Sequence, residues 1–204
     1  MLQKEQGGFG DFATISLNAG AQANETVGIE GHYKVTCHDK DGNLKWEESF
    51  PNLVNAVGKE LLLNTLLRTS GTYTTVGPFL GLISGASPTF GTGSDTGTSH
   101  AGWTEFTNYT VGGSAVRGTA VFSASTSTGS TPSNVTTCSA SAITYTITGA
   151  GGTVGGCFLV TGSGAVSTQG STAGVLYSAG AFAVAKITTA GDTVAVTYST
   201  TATS

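Results

Sequence analysis

The stretch His32-Tyr33-Lys34-Val35-Thr36-Cys37-His38-Asp39-Lys40-Asp41-Gly42-Asn43-Leu44-Lys45-Trp46-Glu47-Glu48-Ser49-Phe50 decides the fold class. Tyr33, Val35 and Cys37 alternate with polar residues, the period of a strand with one buried face. Asp41-Gly42 then predicts a two-residue hairpin turn. Leu44 to Phe50 predicts the returning strand, which Pro51 should end or bend.

Working outward, Leu53 to Leu67 reads as one helix, with Val54, Val57, Leu61, Leu62 and Leu66 at helical spacing. Asn52 or Asn55 is placed to cap it, and Gly58 weakens it by about 1 kcal/mol. Beyond it, strand patterns recur at 76–83, 103–109, 115–123, 141–148, 154–160, 174–177, 181–187 and 193–198. Gly/Ser/Thr-rich loops are expected at 84–101 and 123–140. Short strands at near-regular spacing predict a β-sandwich or jelly roll. Residues 1–28 carry little core material and read as an N-terminal arm, with Phe9, Phe12, Ile15 and Leu17 as its apolar anchors. Residues 29–204 are expected to form a single domain.

Composition agrees with that reading. Gly, Ser and Thr supply 87 of 204 residues, while charged residues are 10%, against roughly 25% in ordinary soluble proteins. Fifteen of the 20 charges lie in residues 1–68. Only Lys186 and Asp192 follow residue 118, so hydroxyl groups must solvate the C-terminal half. A net charge of −4 without a basic cluster argues against a nucleic-acid surface. No apolar run of about 18 residues predicts a membrane helix. Met1 to Gln6 lacks the apolar core of a secretion signal.

The chemistry-bearing residues form no strong motif. Cys37, Cys138 and Cys157 contain no CxxC and are odd in number. They read as small buried hydrophobes in a reducing compartment, with one disulfide as the alternative. Asp39-Lys40-Asp41-Gly42-Asn43 has the wrong spacing for a calcium loop and reads as a turn. His32 and His38 sit about 20 Å apart along a strand, too far to share a metal. Ser99, His100 and Asp95 make a hydrolase-like trio, but adjacent Ser99 and His100 would point to opposite sides of a strand. Neither a GxSxG elbow nor a phosphate loop is present.

Four ordered segments do carry a resemblance. They are Asn52 to Leu63; Gly81-Leu82-Ile83 with Ser99 to Glu105, Tyr109 and Arg117; Gly152 to Leu159; and Gly174 to Phe182 with Ala190 to Thr197. This set, spanning about residues 30–200, resembles a family of tailed-bacteriophage virion proteins, the capsid decoration or cement proteins. The resemblance implies a jelly-roll-like β-sandwich on the outer surface of the capsid, stabilising contacts between capsomers. It implies the major capsid protein as partner, a homo-oligomer (dimer or trimer), and assembly in the bacterial cytoplasm. It carries over no catalytic residue, cofactor or metal. Trp103, Glu105, Tyr109 and Arg117 are then a packing and ion-pair set. The candidate partner contacts are Phe9, Phe12, Trp103, Tyr109 and Arg117. The alternative reading is a tail or fibre component with a receptor- or glycan-binding role, which exposed aromatic side chains in a groove would support; Trp46 and Trp103 are the only tryptophans.

Overall fold

The computed structural model describes residues 28–67, 76–85, 88–90, 95–128 and 135–203. The arm anchors Phe9 and Phe12, Cys138's side chain and parts of both long loops lie outside the described residues. The fold is all-β, a sandwich that nearly closes into a barrel. In chain order the elements are β1 (Gly28–His38), β2 (Leu44–Val54), α1 (Ala56–Leu67), β3 (Phe79–Ser84), β4 (Thr104–Phe106), β5 (Tyr109–Thr110), β6 (Gly118–Thr119), β7 (Thr126–Thr128), β8 (Val135–Ser139), β9 (Ile143–Ile147), β10 (Gly152–Thr161), β11 (Val175–Thr188) and β12 (Thr193–Thr203). Neighbouring strands run in the order β4-β3-β10-β11-β2-β1-β12-β8-β7, all antiparallel, with β5 and β9 continuing from β12 and β6 from β3.

The hairpin is present, and its predicted face is buried: Tyr33, Val35 and Cys37 are fully covered. Its turn differs from the expected two residues. His38 pairs with Leu44, so five residues form the connection. The Asp39 carboxylate accepts from the amides of Asp41 (2.9 Å) and Asn43 (2.8 Å). That side-chain turn supplies the chain reversal, and it engages Asp39 with amide groups. Burial pushes the Cys37 thiol up to about 11.

β2 runs further than the sequence suggests. Pro51 lies inside it, opposite His32, and Leu53 and Val54 are strand rather than helix. A proline is tolerated in a ladder where its missing N–H would have faced away from the partner. Here β2 leaves β1 after Asn52 and pairs with β11 through Leu53 and Val54. β2 is therefore the corner strand that passes from one sheet to the other. Between the separating strands Phe182 packs edge-on against Trp46 (5.6 Å) and Phe50 (5.2 Å).

Two further segments depart from their local pattern for one physical cause. The predicted break between 174–177 and 181–187 is absent: β11 is continuous, and Ser178-Ala179-Gly180 pairs with Leu159, Phe158 and Cys157. The stretch expected as a loop at 123–140 holds β7 and β8, and β8 pairs with Ser199–Thr203 of β12. Small and hydroxylated residues resemble turns locally, but a partner strand decides their state.

The main core lies between the sheets and is rich in tyrosine. Tyr33, Tyr109, Tyr145 and Tyr198 are all buried. Each hydroxyl has a partner: Tyr145 donates to the Leu80 carbonyl at 2.8 Å, Tyr33 pairs with Ser178 at 3.0 Å, Tyr198 accepts from Asn52 at 3.2 Å, and Tyr109 reaches Glu105. Burial raises the pKa of all four, that of Tyr198 to about 12.

Asn55 immediately precedes helix α1, and its carbonyl accepts from Lys59 at 3.0 Å. Asn55 is fastened to β11 by its amide on the Tyr177 carbonyl (2.9 Å) and its side chain on the Leu176 carbonyl (3.5 Å). Gly58 faces the same strand so closely that a Cβ there would sit 2.6 Å from the Tyr177 oxygen. Gly58→Ala should therefore destabilise the protein by about 1–3 kcal/mol in a urea titration, although helix propensity alone predicts a gain of about 1 kcal/mol. A stabilised variant would refute the close docking of α1.

An ion pair ties the β11–β12 turn to the start of β2. Lys45 Nζ lies 2.5 Å from Asp192, which is buried. Asp192 also accepts from the Thr189 amide at 2.8 Å. Burial acts to raise the Asp192 pKa, but the Lys45 ammonium and the Thr189 bonds outweigh it and hold the carboxyl below its ordinary value. The Asp192 bond raises Lys45. The stabilisation from Asp192 is thus complete above about pH 4 and fades as the pH falls through its lowered pKa. That from Lys45 is complete below about pH 10 and fades as the pH rises through its raised pKa. Melting curves of the wild type and Asp192→Asn should converge at acid pH and separate at neutral pH. A constant gap from acid to neutral would overturn this assignment.

Candidate functional site: a cleft over a buried ion pair

The resemblance singled out Trp103, Glu105, Tyr109 and Arg117, and the fold brings all four to one place. β4 carries Glu105 opposite Ile83 of β3. The following turn returns as β5, placing Tyr109 edge-on to Tyr145 at 4.9 Å. Arg117 is held by its amide on the Ser167 carbonyl at 2.7 Å, beside the bridge between Val116 and Thr168.

Glu105 and Arg117 form a two-point ion pair, Nε to Oε1 at 2.9 Å and Nη2 to Oε2 at 2.7 Å. Both side chains are buried, 6% and 3% exposed. Oε1 also accepts from the Tyr109 hydroxyl at 3.4 Å, and Oε2 from the Gly170 amide at 2.6 Å. Four donors therefore converge on a carboxylate with about four acceptor positions. Arg117 Nη2 additionally donates to the Ser171 carbonyl at 2.6 Å. The guanidinium lies over the Phe158 ring, 5.0 Å from its centre. The cluster thus clasps β4, β5, the 116–117 segment, β10 and the 170–171 loop around one internal charge pair. Arg117 Nη1 is buried and has no hydrogen-bond partner.

Trp103 is buried next to this clasp. Its Nε1–H donates to Asp95 at 3.2 Å, and it packs on Phe158 at 5.2 Å. His100 stacks on the indole at 4.0 Å, and its Nδ1–H donates to the Trp103 carbonyl at 3.0 Å. Asp95 and His100 therefore both serve Trp103, and the Ser99 amide bonds within its own turn to Thr96. The hydrolase-like trio is not arranged as a relay. Trp46 is partly buried against Phe182, and Trp103, 6% exposed, lines the cleft described below. His32 is exposed and lies 3.5 Å from Ser49 on the facing strand. Among the described residues, no group of three or more His, Cys, Asp or Glu is arranged to hold a metal, and no helix is long and apolar enough to cross a membrane.

Beside the clasp lies a cleft of about 310 Å³, lined by His100, Trp103, Thr104, Glu105, Thr107, Arg117, Phe158 and residues 170–172, among others. Phe158, Gly170 and Ser171 escaped sequence reasoning as parts of this site. Their separation from Glu105 by more than 50 residues leaves no local signal. Comparison with protein-family models, curated proteins and solved structures found no match to this chain.

Proposed function

We propose that this chain is a structural virion protein that binds the outer surface of a phage capsid and stabilises contacts between capsomers. Its partner is the major capsid protein, and it acts as a homo-oligomer, a dimer or trimer. The ordered sequence resemblance supplies the family. The structural observation that supports a mechanical rather than catalytic role is the saturated Glu105 carboxylate. Its acceptor positions are filled by Arg117, Tyr109 and Gly170, so it braces the fold instead of moving a proton.

A shell-binding body also needs apolar surface outside its own core. Val184 and Ile187 of β11 stand 68% and 72% exposed, close in sequence to the Lys186–Glu48 ion pair (3.0 Å). Such surface suits subunit contact when its rim is polar.

The test is sedimentation of purified protein with capsids that lack it. Saturable binding at a fixed ratio to the major shell protein is expected, weakened in Ile187→Glu if β11 makes the contact. A truncation beginning at residue 29 reads the contribution of the arm anchors Phe9 and Phe12. Binding to tails or host cells but not to shells would overturn the proposal.

A further inference from the structure

A second cavity lies between the two sheets, away from the clasp. Leu159 and Thr161 of β10 and Tyr177 of β11 line one side, and Tyr198 and Thr200 of β12 line the other. It is open-sided, holds about 190 Å³ and exposes only carbon. The hydroxyls around it are engaged with neighbours. Thr161 donates to the Val76 carbonyl and Thr200 to the Glu30 carbonyl, each at 3.1 Å, and Tyr198 accepts from Asn52 at 3.2 Å. Such a lining suits an apolar guest, which gains by leaving water. Dry apolar cavities of about 150 Å³ take up benzene, so this one has room for a phenyl ring.

The chain itself brings phenyl rings to that place. Along the β1–β12 ladder the pairs Tyr33–Tyr198, Gly31–Thr200 and Ile29–Ala202 succeed one another on one face, running outward from the buried tyrosines. β1 therefore starts at Gly28, three residues past the partner of Thr200, which is about 10 Å along a strand. Among the described residues, Gly28 to Glu30 pair with β12 alone, because β2 has already crossed to β11. The segment ahead of Gly28 has Phe9 and Phe12 as its aromatic residues, followed by a polar or small run from Asn18 to Thr26. Phe12 stands 16 residues before Gly28, and a coil of that length spans about 20–24 Å. Both rings are thus within reach of the cavity. A tether of this kind holds them at millimolar effective concentration, which favours a chain's own cavity over that of another copy in dilute solution.

We propose that the segment ahead of β1 docks on its own body through the Phe9–Phe12 pair, one ring of which fills the cavity between β10, β11 and β12. This contact belongs to the free protein and needs no capsid, so it stands apart from the shell-binding reading.

Nuclear Overhauser contacts in the full chain test it, read between the Phe9 and Phe12 rings and the methyl groups of Leu159, Thr161 and Thr200. The expected result is a set of such contacts in uniformly labelled wild type. In a mixture of labelled and unlabelled chains, none should join one chain to another. In Phe9→Ser/Phe12→Ser the contacts should vanish and the three methyl signals should move. Ile147, whose amide bonds to the Asp192 carbonyl beside the far end of β12, should keep its signal. Absence of contacts from either ring in the wild type would overturn the proposal. Contacts found only between differently labelled chains would make a second copy the occupant and overturn it too. Contacts that survive in a folded double variant would come from another ring, such as Phe122, and have the same consequence. Should the double variant misfold, the contacts assigned in the wild type and in the mixed sample decide the matter alone.

Discussion

Replacing Arg117 by methionine is expected to destabilise the protein by about 3–5 kcal/mol, because it leaves the Glu105 carboxylate buried without its cation. For a chain of this size that corresponds to a fall in melting temperature on the order of 10 °C. The size of the effect follows from burial. Exposed ion pairs such as Lys34–Glu47, whose side chains are 59% and 54% accessible, contribute about 0–1 kcal/mol. Glu105 and Arg117 are 6% and 3% exposed, so solvent cannot replace the lost partner. The double variant Glu105→Gln/Arg117→Met separates the charge from the shape. It removes the stranded charge, and its glutamine oxygen can still accept from the Gly170 amide while its NH2 group can donate to the Tyr109 hydroxyl. It should therefore lose less stability than Arg117→Met alone. Urea titrations with an unchanged slope would measure both. A loss below about 1 kcal/mol in Arg117→Met would place the pair with ordinary surface bridges and remove the bracing role.

The second large effect is expected at Phe158, where truncation to alanine should cost about 3–5 kcal/mol. Its ring is 1% exposed, lies beneath the Arg117 guanidinium and packs against Trp103. It also fills the space over Gly81 of β3, where a Cβ would approach the ring to 2.5 Å. Gly81→Ala should accordingly destabilise the wild type by about 1–3 kcal/mol. In the Phe158→Ala background the added methyl enters the vacated space, so the same change should have a much smaller effect. Additivity of the two changes within about 0.5 kcal/mol would show that they do not share that space. Near-ultraviolet circular dichroism of Trp103 gives an independent readout of the lost packing.

The residues differ in how far their local pattern announces their place. Tyr33, Val35 and Cys37 alternate strictly, and Ile143, Tyr145 and Ile147 do the same, so their strands and buried faces are legible at once. The helix is legible from Val57, Leu61 and Leu62, but its start is not. Leu53 and Val54 fit a helical spacing as well as a strand, and their pairing with Ala179 and Ser178 settles the matter. Gly58 reads as a flaw in a helix until the Tyr177 backbone appears beneath it. The Ser/Thr-rich run around β7 and β8 has no hydrophobic period, and its extended state comes from the β12 edge.

For this protein, the sequence by itself determined the all-β class, the hairpin at 32–50, one short helix and the scarcity of ionised groups in the second half. These properties depend on neighbours a few residues apart, where side-chain periodicity and turn chemistry act. It also marked Trp103, Glu105, Tyr109 and Arg117 as a set, through resemblance rather than through physics. Only the tertiary structure decided that β2 turns the corner between sheets, that β11 is unbroken, and that Gly170, Ser171 and Phe158 complete the clasp. Those outcomes rest on contacts between distant segments. Glu105 meets its fourth donor at Gly170, 65 residues away, and the long-range pairing of strands creates that encounter.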